Sequence, residues 1–350
     1  MPPSLGHGRR RGGDPRHRVL RMAMARVGLV LGAGGVVGSA FHAGVLSALA
    51  DHTGWDARRA EVIVGTSAGS GTGALLRAGM PAADLAAEAL GTRLSPEGAR
   101  VMARAAAAAA RAEARAVPLR PLLARVPLRP QVTAPGMLAR AARRPWDARF
   151  GLLASALLPA GTVPTEMISA GMVPLFPEGW PSAELWVVAV RLSTGERVVF
   201  GTPSAPPARV ADAVAASCAI PGFFEPVVIE GHRYVDGGAH SPTNADLVAD
   251  GAYDVVVVSS PMSRAGRTMS ARISPVRQWA RRELDREVRR VTRAGAAVVA
   301  FQPTSADLAV MGFNAMDTGR RAAVTAQAQD STRRWLDDPR NAGAAALLRA

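Results

Sequence analysis

The sequence predicts an α/β fold, a three-layer α/β/α sandwich with a mostly parallel central sheet. Three observations predict it. The short apolar runs Gly28-Leu29-Val30-Leu31, Glu61-Val62-Ile63-Val64 and Asp254-Val255-Val256-Val257-Val258 have the length and valine content of strands buried on both faces. The first two run directly into small-residue turns followed by helical stretches, which is the βα rhythm of a parallel sheet. A chain of 350 residues with 48% hydrophobic residues is long and apolar enough for one large domain carrying an insertion.

Taken in order, the strand at 28–31 leads into Gly32-Ala33-Gly34-Gly35-Val36-Val37-Gly38 and a helix over Ser39 to Ala50. The strand at 61–64 turns at Gly65-Thr66-Ser67-Ala68-Gly69 into a helix over Gly71 to Gly79. Pro81 to Arg115 is rich in Ala and Arg and reads as helix. Val117 to Pro130 interleaves Leu and Arg with Pro, which forbids a long helix and suits a cap or an extended linker. Phe150 to Trp180 reads as short helices. Leu185 to Val190 and Glu196 to Phe200 alternate as strands, and Ala208 to Ser217 reads as a helix. Arg233-Tyr234-Val235 is a short strand ending in Asp236-Gly237-Gly238, with a helix expected over Pro242 to Ala249. Near the C-terminus, Val276, Trp279, Leu284, Val288 and Val291 share one helical face. The other faces carry Arg281, Arg282, Arg286, Arg289, Arg290 and Arg293, partly paired with Glu283, Asp285 and Glu287. Ala296 to Phe301 adds a strand and Asp317 to Trp335 a closing helix.

Two of these junctions carry chemistry. A serine flanked by Gly65, Thr66, Ala68 and Gly69 at a strand-to-helix turn has the layout of a nucleophile elbow. Small neighbours permit the sharp turn, and the following helix sets its positive end beside the serine Oγ. A G-x-S-x-G pentad alone is weak in a chain this rich in glycine, so the context matters. The glycine loop supplies it, because backbone N–H groups left bare by Gly32, Gly34 and Gly35 can converge on a developing oxyanion, with Ala68 N–H joining from the residue after the serine. Gly38 closes that loop.

Together the glycine loop, the GTSAG elbow and the DGG turn, in that order, resemble the patatin-like phospholipase family. Ser217-Cys218-Ala219-Ile220-Pro221-Gly222-Phe223-Phe224-Glu225-Pro226 and Gly237-Gly238-Ala239-His240-Ser241-Pro242-Thr243-Asn244-Ala245-Asp246 extend the likeness. It covers about Arg26 to Pro261, with low similarity between Ala82 and Ala183. The resemblance implies a patatin-like sandwich and serine-dependent hydrolysis of acyl esters of phospholipid or related lipid, without metal or organic cofactor. It implies Ser67 as nucleophile and Asp236 as general base. Two departures stand out: the family's loop usually carries Arg or Lys where this chain has Val37, and Ala33 replaces a leading glycine.

A Ser-Asp-His triad in α/β-hydrolase order does not fit, since the last histidine is His240. His232 and His240 each lie four positions from Asp236, leaving a local triad conceivable, while His42 reads as packed against the loop. Two further readings stay open. Gly32-Ala33-Gly34 opens like a dinucleotide fingerprint of an oxidoreductase, but Val37 occupies the place of its third glycine. The elbow could also persist in a non-catalytic lipid-binding module.

The charge is lopsided: 42 Lys+Arg, with no lysine among them, against 28 Asp+Glu give +14. Solvated surface charge is the default reading. A patch for anionic membrane is the functional one, placed on the cap arginines Arg120, Arg125 and Arg129 and on the helical face around Arg286. With 5% aromatics and no recognition motif, nucleic acid is not expected as a partner. The single Cys218 excludes an intrachain disulfide and suits a reducing, cytoplasmic compartment. Residues 1–25 read as a disordered basic tail, 26–302 as the catalytic domain with a cap insertion around 82–183, and 303–350 as a helical extension packed on the domain. Neither a signal peptide nor a transmembrane helix is expected. The apolar stretch Val27 to Ala50 holds six glycines and a strand-to-helix break, which hydrocarbon would leave unsatisfied.

Overall fold

The computed structural model describes residues 25–113, 134, 136, 143, 150–159, 161–266 and 274–349. The basic tail and the Pro-rich stretch with Arg120, Arg125 and Arg129 lie outside the described residues.

Among the described residues the strands are β1 (Val27–Leu31), β2 (Val62–Thr66), β3 (Glu184–Arg191), β4 (Glu196–Phe200), β5 (Val227–Ile229), β6 (His232–Asp236), β7 (Val255–Ser259) and β8 (Ala297–Phe301). They form one sheet in the order β5-β6-β3-β2-β1-β7-β8, with β4 paired to β3. From β3 to β8 the order is parallel, whereas β4 and β6 meet β3 antiparallel and β5 pairs antiparallel with β6.

The period-two alternation of side chains explains the three layers. Leu29, Leu31, Ile63, Val255 and Val257 enter one apolar core, while Val30, Val62, Val64, Val256 and Val258 enter a second on the opposite face. Both faces must therefore be covered. Helix α1 (Gly35–Thr53) lies on the first face and packs against α3 (Ala82–Leu90), the second helix after it; α2 (Ala68–Arg77) lies between them in sequence. The remaining α-helices among the described residues are α4 (Pro96–Glu113), α5 (Phe150–Leu157), α6 (Glu166–Met172), α7 (Val210–Ser217), α8 (Pro275–Arg293), α9 (Ser305–Met311), α10 (Arg321–Asp337) and α11 (Ala342–Ala346). From the C-terminal region, α10 lies along α1, and Val324 and Ala328 join the first core. On the second face α8 contributes Leu284 and Val291. No described helix is long and apolar enough to cross a membrane.

Three expectations are corrected. Pro242 to Ala249 is not an α-helix but an irregular segment ending in a single 3-10 turn, Ala245–Val248. Asn244 there takes the left-handed conformation (φ 54°), and the Ala245 N–H goes to the Glu287 side chain, so the segment's hydrogen bonds are tertiary rather than helical. The apolar face of α8 is also drawn differently: Glu283 and Glu287 are buried, whereas Val276 is exposed. Finally, α1 and α2 begin at Gly35 and Ala68, inside the motifs rather than after them, so each motif is itself a helix N-terminus.

Candidate active site

The register of β3 builds this site. Val187 and Val188 pair with β2 on one side and with β4 on the other, and Ala189 to Arg191 pair with β6 as well as β4. Strands β2 and β6 thus lie on the same edge of β3 and meet end to end. Thr66 pairs with Val188 and Asp236 with Ala189. The residue after Thr66 therefore emerges beside Asp236.

That residue is Ser67. It has φ 54° and ψ −122°, a conformation a non-glycine residue holds at a cost of about 1–3 kcal/mol. Its surroundings impose it. The Ser67 N–H donates to Ser217 Oγ at 2.9 Å, and the Ser217 hydroxyl donates to the Val188 carbonyl at 2.6 Å, so the elbow hangs from β3 through one buried hydroxyl. The flanking glycines are sterically required: a Cβ at Gly65 would run into the Ser70 Cα, and one at Gly69 into the Leu31 carbonyl. Both collisions are with backbone, which cannot swing aside. Gly38, on α1, lies where a Cβ would meet the Ala68 methyl at 3.7 Å, an ordinary contact that brings the glycine loop against the elbow.

Asp236 is 5% exposed and Ser67 4%. The Ser67 hydroxyl faces the Asp236 carboxylate and favours its charged form, and the Gly238 N–H donates to its Oδ1 at 2.7 Å. Burial pushes the carboxyl up to about 6, although the Ser67 hydroxyl and the Gly238 N–H pull the other way. Gly237 must be glycine, because a Cβ there would run into the Val188 carbonyl.

In the glycine loop the N–H groups divide. Gly32 donates to Ser259 O at 2.9 Å and Ala33 to Pro242 O at 2.7 Å, which removes Gly32 from the expected oxyanion donors. Among the described residues, Gly34, Gly35 and Ala68 give their N–H groups to no protein acceptor. Gly35 has φ 61°, and a Cβ on it would meet the Ala315 carbonyl oxygen at 2.7 Å. That same carbonyl accepts the Val37 N–H at 3.0 Å. A protein oxygen thus already occupies the flank of the α1 N-terminus, which disfavours a pyrophosphate there. Val37 itself is buried in the core.

His42 and His232 lie away from the carboxylate. His42 is fully buried, with Nε2 2.8 Å from Gly32 O and Nδ1 2.8 Å from Ser259 Oγ. A carbonyl can only accept, so Nε2 carries the proton and Nδ1 accepts from the serine. Burial drives its pKa down to about 4, and the neutral ring serves as a strut under the loop. His232 is exposed at the far end of β6, roughly 13 Å from Asp236 at ~3.3 Å per residue. His240 follows the 3-10 turn Gly237–Ala239. Burial, then the nearby Asp236 charge, pushes the Cys218 thiol up to about 12, leaving it protonated.

Three supports went unseen in the sequence: Ser217 under the elbow, Ala315 against the glycine loop, and Glu287 beneath the segment after the DGG turn. Each acts through a long-range hydrogen bond that no local pattern encodes. Among the described residues no cluster of His, Cys, Asp and Glu could hold a metal ion.

The site thus sets a serine at a strained strand-to-helix turn beside a buried carboxylate and a glycine loop. The chain belongs to the patatin-like phospholipase family, whose model matches residues 29–249. Membership makes it a relative of lipid acyl hydrolases and implies a lipid substrate. Among solved structures it is similar to VipD from Legionella pneumophila, at 16% identity and a TM-score of 0.40 over 89% of this chain and 67% of that one. Nothing about the site rests on that likeness.

Proposed function

We propose that the protein hydrolyses acyl esters of phospholipid or a related lipid through a Ser67-Asp236 dyad. The observation that carries the reading is Ser67 standing beside a buried Asp236 at the meeting of β2 and β6. Ser67 Oγ attacks the ester carbonyl carbon while its proton passes to Asp236. The carbonyl oxygen becomes an oxyanion facing the N–H groups of Gly34, Gly35 and Ala68. Collapse expels the alcohol, which takes the proton from Asp236, and leaves an acyl-serine. Water then gives a proton to Asp236 as it attacks, and the free acid leaves with Ser67 restored.

An aspartate at its ordinary pKa of about 3.9 is a feeble base near neutrality. Raised to about 6, it matches the task better and needs no histidine. Reaction with a fluorophosphonate, followed by mapping of the labelled residue, tests the reading. Label on Ser67 that disappears in Ser67→Ala, together with ester hydrolysis, is the expected result. Wild-type hydrolysis by Ser67→Ala would end it, and bound fatty acid without covalent labelling would favour a lipid-binding module.

A further inference from the structure

We propose that Glu287 is a positioning residue of this site, holding the segment Ser241 to Ala245 that braces both the glycine loop and the elbow. The inference rests on the hydrolase reading above for its kinetic consequence, but its geometry stands independently. Glu287 projects from α8, outside the stretch matched by the family model, and is 5% exposed.

Its two oxygens take three donors. Ser241 Oγ donates to Oε1 at 2.6 Å, while Thr243 Oγ1 and the Ala245 N–H donate to Oε2 at 2.6 and 2.9 Å. No cation forms an ion pair with it among the described residues. The nearby charges, Asp246, Arg197 and Arg290, pair with one another, Arg197 at 2.7 Å and Arg290 at 3.9 Å from Asp246. A carboxylate buried against neutral donors is costly where only packing is wanted, and an apolar side chain would fill this inward position of α8 more cheaply. The carboxylate is there for what it holds.

What it holds reaches the site by two arms. The Pro242 carbonyl accepts the Ala33 N–H at 2.7 Å, immediately before the free N–H groups of Gly34 and Gly35. Asn244, in its left-handed conformation, donates Nδ2 to Thr66 Oγ1 at 3.1 Å, immediately before Ser67. Asn244 Nδ2 also donates to Ser241 O at 2.7 Å, which ties the arms together. One carboxylate thereby fixes the distance between the oxyanion donors and the nucleophile.

The test compares wild type, Glu287→Ala, Glu287→Gln and Thr243→Val on a short soluble ester, with fluorophosphonate labelling and amide hydrogen exchange read on the same proteins. A drift of about 1 Å in a catalytic constellation can cost about 10²-fold, so Glu287→Ala should lose about 10- to 100-fold in kcat and in labelling rate, with KM within about twofold. Glu287→Gln keeps an acceptor for Thr243 and Ala245 and should stay within about fivefold of wild type. The Ala33 amide should exchange faster in Glu287→Ala, while Val257 in the sheet centre stays protected. A folded Glu287→Ala with wild-type kcat, labelling rate and Ala33 protection would overturn the proposal. If Glu287→Ala does not fold, Thr243→Val decides, since it deletes one of the three bonds: slower labelling and faster Ala33 exchange support the assignment, and wild-type values overturn it. Should wild type prove unable to hydrolyse esters or take the label, the hydrolase reading fails alone, and exchange at Ala33 still decides whether Glu287 holds the loop.

Discussion

Ser67 and Asp236 stand side by side because the strands that precede them end against each other on one edge of β3, Thr66 opposite Val188 and Asp236 opposite Ala189. The sheet itself sets their separation, so neither depends on a flexible loop for its position. Ser217 reinforces this by tying the Ser67 N–H to the Val188 carbonyl.

The pH dependence of hydrolysis should follow Asp236. As the proposed base, Asp236 works only when ionised, so kcat/KM should rise through about pH 6 and level off above it. Asp236→Asn should lose roughly 10²–10⁴ in rate and the rising limb, while His232→Ala and His240→Ala should cost far less. A histidine change as damaging as Asp236→Asn would replace the dyad by a local triad.

Stability should follow the same group with the opposite sign. Its folded pKa lies above its unfolded value, so between about pH 4 and pH 6 the native state keeps a proton that the unfolded chain has lost, and stability falls as pH rises. Well above pH 6 the cost is complete, about 3 kcal/mol. Asp236→Asn should therefore melt higher than wild type at pH 8 and show no such advantage at pH 4. Thermal melts across that range check it, and a variant less stable than wild type at pH 8 would contradict the buried charge.

Ser217→Ala should loosen the elbow. It leaves the Ser67 N–H and the Val188 carbonyl without their shared partner in a buried site, at a cost of about 1–3 kcal/mol. Denaturant melts should register that loss. Labelling of Ser67 should slow more than the stability change accounts for, because the strained backbone is then free to relax.

Vesicle binding tests the charge. Arg286, Arg289 and Arg293 are exposed on α8, on faces other than the one carrying Glu287. If they meet lipid, sedimentation with vesicles should increase with anionic content and weaken with salt, given a Debye length near 10 Å at about 0.1 M. Charge reversal at the three should lower activity on vesicles and spare a short soluble ester. Equal binding to neutral and anionic vesicles at low salt would leave the +14 without a part in finding substrate.

Much of this protein is written locally. The apolar runs of β1, β2 and β7 send side chains into cores on two faces, so a covered parallel sheet follows from their length, their valine content and the βα rhythm. Gly65, Gly69 and Gly237 mark where backbone approaches backbone, and the elbow and DGG turn could be read from them. Tertiary structure decided the rest. The adjacency of Ser67 and Asp236 depends on which strands share an edge of β3, and the loss of Gly32 as a donor depends on Ser259. Helical periodicity placed Glu287 among solvated charges, and a helix was expected over Pro242 to Ala249. Both failed for one reason: the buried carboxylate takes the Ala245 N–H together with the Ser241 and Thr243 hydroxyls. A hydrogen bond between groups distant in sequence outweighs a local preference of a few tenths of a kcal/mol per residue, and it leaves no trace in the spacing of residues along the chain.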